Sequence, residues 1–251
     1  MKVQSLDRTF DILELLSRQQ HGLSLTEIGN RLDLHKSTVY RLLNALKERG
    51  YIEKTVQGCY RLGMEFIELA SLYLNNLELK TEAQPVLREL ASVTGNTVFL
   101  ATLQDGQVVY IDKMETFNSL RKYSIIGRRA PLYCTALGKA MLTGMTEIEL
   151  RQLYCEGALE GFTANTITGL DALLEEVSRT RRRGWSLDDE EYEEGLRCIG
   201  APIRDYRNEV IAAVSTSGYT SMIPRQRVEP IAAHVVKAAR DISKRMGYRD
   251  T

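Results

Sequence analysis

Six residues within nine positions, Lys36, Ser37, Thr38, Tyr40, Arg41 and Asn44, lie opposite an apolar stripe of Val39, Leu42, Leu43 and Leu46. All six carry groups that donate or accept hydrogen bonds, which is the chemistry needed to meet base edges and phosphates in a DNA groove. A second set lies far downstream. Thr135 precedes Ala136, Leu137 and Gly138 as a helix N-cap, Asp188 opens an acidic run ahead of Cys198, and Ser215 and Ser217 stand two apart on one face of a strand. Helix amides and hydroxyls of this kind suit the carboxylate of a small organic acid.

The elements that position the first set are short helices. Leu6, Phe10, Leu13 and Leu16 predict a helix from about Leu6 to Arg18 behind Ser5 as cap, and Ser24-Leu25-Thr26-Glu27 has the form of a capping box opening a second. After Asp33-Leu34-His35 the third helix runs to Gly50, with His21 and His35 read as loop residues. Tyr51–Lys54 and Cys59–Leu62 then read as a hairpin, placing Lys54 and Arg61 where they can meet phosphate. Two short helices and a brief turn followed by a hairpin form a winged helix-turn-helix.

The chain has 251 residues, 43% hydrophobic and 26% charged, a composition that supports two folded cores rather than a disordered or fibrous protein. Its 33 basic and 33 acidic residues balance. The balance is uneven along the chain, because residues 1–61 hold ten bases and seven acids, a local excess of three that suits a polyanion. No apolar run is long enough for a bilayer and the start lacks the apolar core of a secretory signal, so a cytoplasmic location is expected. Cys59, Cys134, Cys155 and Cys198 are scattered without metal-ligand spacing; no metal, cofactor or disulfide framework is indicated. A catalytic triad would have to use His234, which sits among Ile231, Ala232, Val235 and Val236, and no phosphate loop or zinc-protease motif occurs, so no catalytic residue is assigned.

The opening Val3-Gln4-Ser5-Leu6-Asp7-Arg8, the stretch Lys36 to Leu43 and the ending Glu48-Arg49-Gly50-Tyr51 resemble the winged helix-turn-helix of the IclR family of bacterial transcription regulators, and the resemblance continues over essentially the full length. It implies an α+β multidomain protein: a winged helix-turn-helix over residues 1–62, a linker helix over 63–80, and a GAF-like effector-binding α+β domain with a mainly antiparallel sheet over 81–251. It also implies effector contacts at Ala130, Ala136, Leu137, Asp188, Cys198, Ser215 and Ser217, with Thr135 added here as the cap. The apolar residues Phe66, Ile67, Ala70, Tyr73, Leu74 and Leu77 make a surface too wide for one small domain to cover, and the resemblance favours pairing with a twin, giving a homodimer or homotetramer on a pseudo-palindromic operator.

For the second domain the pattern predicts helices at Ala83–Val93, with Pro85 in the first turn, and at Ala136–Leu142, Glu147–Leu153, Leu170–Arg183 and Arg225–Met246. Strands are expected at Thr97–Leu103, Val108–Lys113, Tyr123–Ile126, Leu196–Ile203 and Val210–Thr216. The basic run Arg179, Arg181, Arg182 and Arg183 reads as a favourable helix end before Gly184. The expected function is ligand-controlled transcription regulation by a DNA-binding repressor. The competing expectation is a small-molecule sensor or enzyme with a helical protein-interaction module and no DNA contact.

Overall fold

The computed structural model describes residues 3–19, 21–75, 78–115, 126–154 and 159–249, and divides into two compact units, residues 1–76 and 77–251. In the first, α1 (Gln4–Ser17), α2 (Leu25–Leu32) and α3 (Lys36–Glu48) precede the hairpin β1 (Ile52–Lys54) and β2 (Tyr60–Leu62), and α4 (Glu65–Asn75) closes it. Ile12, Leu16, Leu23, Ile28, Val39, Leu43, Leu46, Ile52 and Tyr60 form its core. The capping box of α2 is present: the Glu27 amide donates to Ser24 Oγ at 3.3 Å and the Ser24 amide to Glu27 Oε2 at 2.8 Å. Asp33 turns the chain between α2 and α3 in the left-handed region (φ 51°), a conformation that Asp tolerates better than most residues. Leu23 bridges to Tyr60, tying the wing to the helices.

Two readings of this unit change. Helix α1 starts at Gln4 with Val3 as its cap, because the Leu6 and Asp7 amides both reach the Val3 carbonyl; Ser5 is inside the helix. Its buried stripe runs through Ile12 and Leu16, which leaves Leu6 and Phe10 exposed. His35 is not merely a loop residue: it caps α3, its ring Nδ1 accepting from the Ser37 amide.

The second unit holds α5 (Glu78–Thr94), β3 (Thr97–Gln104), β4 (Gln107–Met114), β5 (Arg129–Ala130), α6 (Ala136–Leu142), α7 (Glu147–Leu153), α8 (Leu170–Arg183), β6 (Ser186–Asp189), β7 (Leu196–Arg204), β8 (Val210–Tyr219) and α9 (Val228–Arg245), the last entered through a 3-10 turn at Arg225–Arg227. The strands form one antiparallel sheet in the order β5-β4-β3-β8-β7-β6. Alternation sorts its side chains: Val98, Leu100, Ile199, Ala201, Ala212 and Val214 pack under α5 and α9, while Phe99, Ala101 and Ala213 join Leu137, Met141, Leu150, Leu173 and Val177 of α6, α7 and α8.

Pro85 lies in the middle of α5, not in its first turn, because the apolar positions Leu79, Ala83, Val86, Leu87 and Leu90 carry the helix a turn and a half further upstream. An interior proline removes one helical hydrogen bond, a cost the packing offsets. Strand β6 replaces the acidic loop expected at Asp188 and Asp189; its apolar residues are too few to register as a strand pattern. The strand expected at Tyr123–Ile126 lies, apart from Ile126, outside the described residues.

Candidate nucleic-acid interface and effector site

On α3, Lys36, Ser37, Tyr40 and Arg41 are exposed and Thr38 and Asn44 half-buried, while Val39, Leu43 and Leu46 fill the core behind them. The six polar residues thus share the outward side of the second helix of the helix-turn-helix. Tyr40 is 55% exposed, a large amphipathic ring turned to solvent. Arg41 has no ion-pair partner among the described residues, so its guanidinium is open to an external acceptor. Ser37 is less free, since its hydroxyl lies 2.9 Å from His35 Nδ1.

The wing is the expected antiparallel hairpin, with Glu53 opposite Arg61 and Lys54 opposite Tyr60. Its two cations differ. Arg61 is ion-paired with Glu53 across the ladder, whereas Lys54 sits over the Tyr60 ring at 5.4 Å with no carboxylate partner among the described residues. The exposed pair at Arg61 is weak, but a phosphate would have to compete with it. On α4, Phe66 packs edge-on against Tyr51 at 5.3 Å, and Ile67 and Leu69 are exposed, as is Met64 just before the helix. The side chains of Tyr73, Leu74 and Leu77 lie outside the described residues.

In the second unit the ladders bring the predicted effector residues together. Asp188 is opposite Cys198, which is opposite Ser217; one step along, Ser186, Gly200 and Ser215 form the next row. Opposed residues point to the same side, here the side of α6. Ala130, Thr135, Ala136 and Leu137 are buried on the same side. Helix α6 sits so close that a Cβ on Gly200 would come within 2.7 Å of the Ala136 carbonyl, and Ser186 Oγ donates to that carbonyl at 2.6 Å. Thr135 caps α6 through a 3.1 Å bond from the Gly138 amide. The Gly138 amide is therefore engaged by the cap and is not the free amide at the helix start that the spacing suggested.

Asp188 is buried, not solvated: its Oδ1 accepts from the Glu191 amide at 2.8 Å and the Tyr192 amide at 3.4 Å. Cys198 Sγ lies 3.0 Å from Ser217 Oγ. Burial drives the Cys198 thiol well above its ordinary range and the Cys134 thiol up to about 12, so neither is a thiolate near neutral pH.

Sequence patterns did not single out the charge beneath this site. Lys139, 1% exposed, is ion-paired with Glu191. All seven residues of α6 are buried, and a lysine in a short helix with no polar side is the signal that could have announced a buried partner. Also missed were Tyr110, packed edge-on against Phe99 at 5.4 Å, and the chain of rings Tyr154, Tyr133, Phe162 and Tyr192.

The buried ammonium of Lys139 thus pairs with Glu191 and acts on Asp188 only through space. Burial raises Asp188 to about 6 against the pull of the Glu191 amide and Lys139, and raises Glu191 to about 7 against the pull of Lys139. Both folded-state values exceed those of the unfolded chain, so the fold holds protons that the unfolded chain has released, and stability declines as pH rises from about 4.5 to 7. The expected result is a falling urea midpoint for this unit across that window, by up to ~1.4 kcal/mol per pH unit for each proton held, flattened in Glu191→Gln. A midpoint that rises across it would contradict the assignment.

His234 is exposed on α9, on the opposite side of the sheet from Ser215 and Ser217, so it is not packed as expected and cannot serve those hydroxyls as a base. The arginines at the end of α8 are engaged: Arg179 and Arg183 with Glu176, Arg181 with the Thr143 and Met145 carbonyls, and Arg182 with Ser178. No helix among the described residues is long and apolar enough to cross a membrane.

A winged helix-turn-helix with an outward polar recognition helix, in one chain with an α+β unit on a curled antiparallel sheet, defines a DNA-binding regulator of two modules. The chain belongs to the IclR family of bacterial transcription regulators: the IclR helix-turn-helix domain matches residues 5–55 and the bacterial transcriptional regulator IclR C-terminal domain residues 71–244. It is 38% identical to the HTH-type transcriptional regulator KdgR of Escherichia coli K12, over 99% of this chain and 94% of KdgR. It is 32% identical to the transcriptional repressor IclR of the same organism, over 98% of this chain and 91% of that one. Among solved structures, Thermotoga maritima IclR superposes with a TM-score of 0.85 at 31% identity, covering 98% of this chain and 99% of that one. An IclR homologue of Microbacterium hydrocarbonoxydans complexed with 4-hydroxybenzoate shares the fold at a TM-score of 0.82 and 23% identity, covering 96% of this chain and 98% of that one. These relatives carry the names of transcription regulators, not of enzymes, which sets aside the reading without DNA contact.

Proposed function

We propose that this protein is a cytoplasmic repressor whose grip on a pseudo-palindromic operator is set by a small carboxylate metabolite. On this reading Lys36, Ser37, Thr38, Tyr40, Arg41 and Asn44 enter the major groove, while Lys54, and more weakly Arg61, meet phosphate. Ile67 and Leu69 on α4 and Met64 just before it, with Leu6 and Phe10 on α1, leave apolar surface exposed within the first unit, which supports a homodimer or a tetramer of such dimers. The names of the repressor relatives support the sign of control.

The effector reading rests on one observation above all: Asp188, Cys198 and Ser217 form a polar row on the side of the sheet that α6 covers, where an apolar row would pack at no cost. Ala130, Thr135, Ala136, Leu137 and Ser215 border it. An acid bound there must prefer one arrangement of the protein to shift operator affinity. A thermal-shift series with sugar acids, keto acids and aromatic acids tests the site, because a ligand of the folded state raises its melting temperature. Asp188→Ala and Ser217→Ala should abolish the shift given by the acid that stabilises the parent, and leave operator affinity without acid nearly unchanged. Loss of operator binding in both would assign these residues to folding instead.

A further inference from the structure

The row of opposed residues does not end at Ser217. Across the next ladder Ser217 is opposite Thr97 of β3, so Asp188, Cys198, Ser217 and Thr97 form one line over four strands on the α6 side. Thr97 is 1% exposed, and its Oγ1 has no hydrogen-bond partner among the described residues. Its neighbours in the line are engaged: Cys198 with Ser217, and Asp188 with two backbone amides. Valine would fill the same space without orphaning a hydroxyl, and a buried unpartnered group calls for a reason. The nearby Asn96 Oδ1 is also unpartnered, but it lies against Gly218 and Ile223 on the α9 side and does not share the line.

Resting on the effector site proposed above, we infer that Thr97 is a further specificity-determining residue, its hydroxyl binding the carboxylate end of a polyhydroxylated acid whose hydroxyls reach Asp188. Three strand spacings of about 4.8 Å separate the ends of the line by roughly 14 Å, which a two- or three-carbon acid cannot bridge. Charge fixes the direction. The carboxylate of Asp188 repels a second carboxylate, and the Lys139 ammonium is held by Glu191, so the anionic end belongs with the Ser217 and Thr97 hydroxyls.

The test is calorimetry on the full-length protein with D-gluconate and pyruvate as probes, comparing the parent with Thr97→Val and Thr97→Ser. D-gluconate should bind the parent more tightly than pyruvate. Thr97→Val should weaken D-gluconate roughly ten- to a hundredfold, the loss of a hydrogen bond to a charged group. Thr97→Ser should restore affinity to within a few-fold, and operator affinity without acid should be the same in all three. Thr97→Ala supplies the hydroxyl deletion if the valine variant is unfolded. Parent-like D-gluconate binding by the deletion variant overturns the role of Thr97 and leaves the site standing. Pyruvate binding without D-gluconate binding overturns the length argument; binding of neither acid overturns this inference, and the effector site itself falls only if the thermal-shift series above also finds no stabilising acid.

Discussion

Replacing Lys139 by methionine is expected to destabilise the second unit by about 3–5 kcal/mol at pH 8, the cost of removing one partner from a buried ion pair. The ammonium is enclosed by α6 and reaches Glu191 just beyond β6. Methionine preserves most of the side-chain volume, so the loss reports on charge more than packing. The penalty should shrink as pH falls. Burial already lifts Glu191 to about 7 with Lys139 in place; without the ammonium it rises further, the carboxyl protonates on mild acidification, and the uncompensated charge disappears. Adding Glu191→Gln should recover most of the stability at pH 8, because the carboxylate that directly paired with Lys139 is then gone, and Asp188 keeps its two backbone amides. Urea denaturation of the single and double variants at pH 8 and pH 5.5 provides the check. A penalty independent of pH, or a double variant no better than the single, would mean that the pair is not the source of the effect.

Arg41→Ala is expected to weaken operator binding by roughly ten- to a hundredfold, a base contact being worth about 1–3 kcal/mol. Arg41 is exposed on the outward side of α3 and has no ion pair to lose among the described residues, so stability should be unchanged. The loss should be concentrated on the cognate sequence and relax specificity at the base pair it reads. Fluorescence anisotropy with cognate and scrambled duplexes at one salt concentration separates the two effects. Equal losses on both duplexes would make Arg41 a phosphate contact, and no loss would remove it from the interface.

What the sequence reveals follows from how local each determinant is. The capping box at Ser24 and Glu27, the stripe of α3 and the hairpin of the wing are set by residues a few positions apart, and each is found where the pattern places it. The same holds for α6, α7 and α8, whose bounds at Ala136–Leu142, Glu147–Leu153 and Leu170–Arg183 coincide with the expected ones. Strand β6 is not legible as a strand, because a four-residue edge strand with two aspartates has almost no apolar alternation. Pro85 misplaced the start of α5, since proline marks first turns more often than interiors.

Within the proposed effector site the split is similar. Ser215 and Ser217 share a side by simple alternation, and Asp188 and Cys198 were carried by family resemblance. That Thr97 lies beside Ser217, or that Lys139 finds Glu191 52 positions away, depends on strand order and register, which no local spacing encodes. Burial reverses the expected character of Asp188 for the same reason: an acidic run looks solvated until the sheet and α6 close over its first member.

On the function proposed above, α3 and the wing read a duplex while the second unit governs when they do so. Fluorescence anisotropy of the full-length protein with the DNA upstream of its own gene, in low salt, tests it most directly. The expected result is tight binding to that duplex over an unrelated one, with affinity falling steeply as salt rises and changing when a stabilising acid is added. Equal, weak binding to both duplexes, indifferent to salt and to every acid that stabilises the protein, would contradict it.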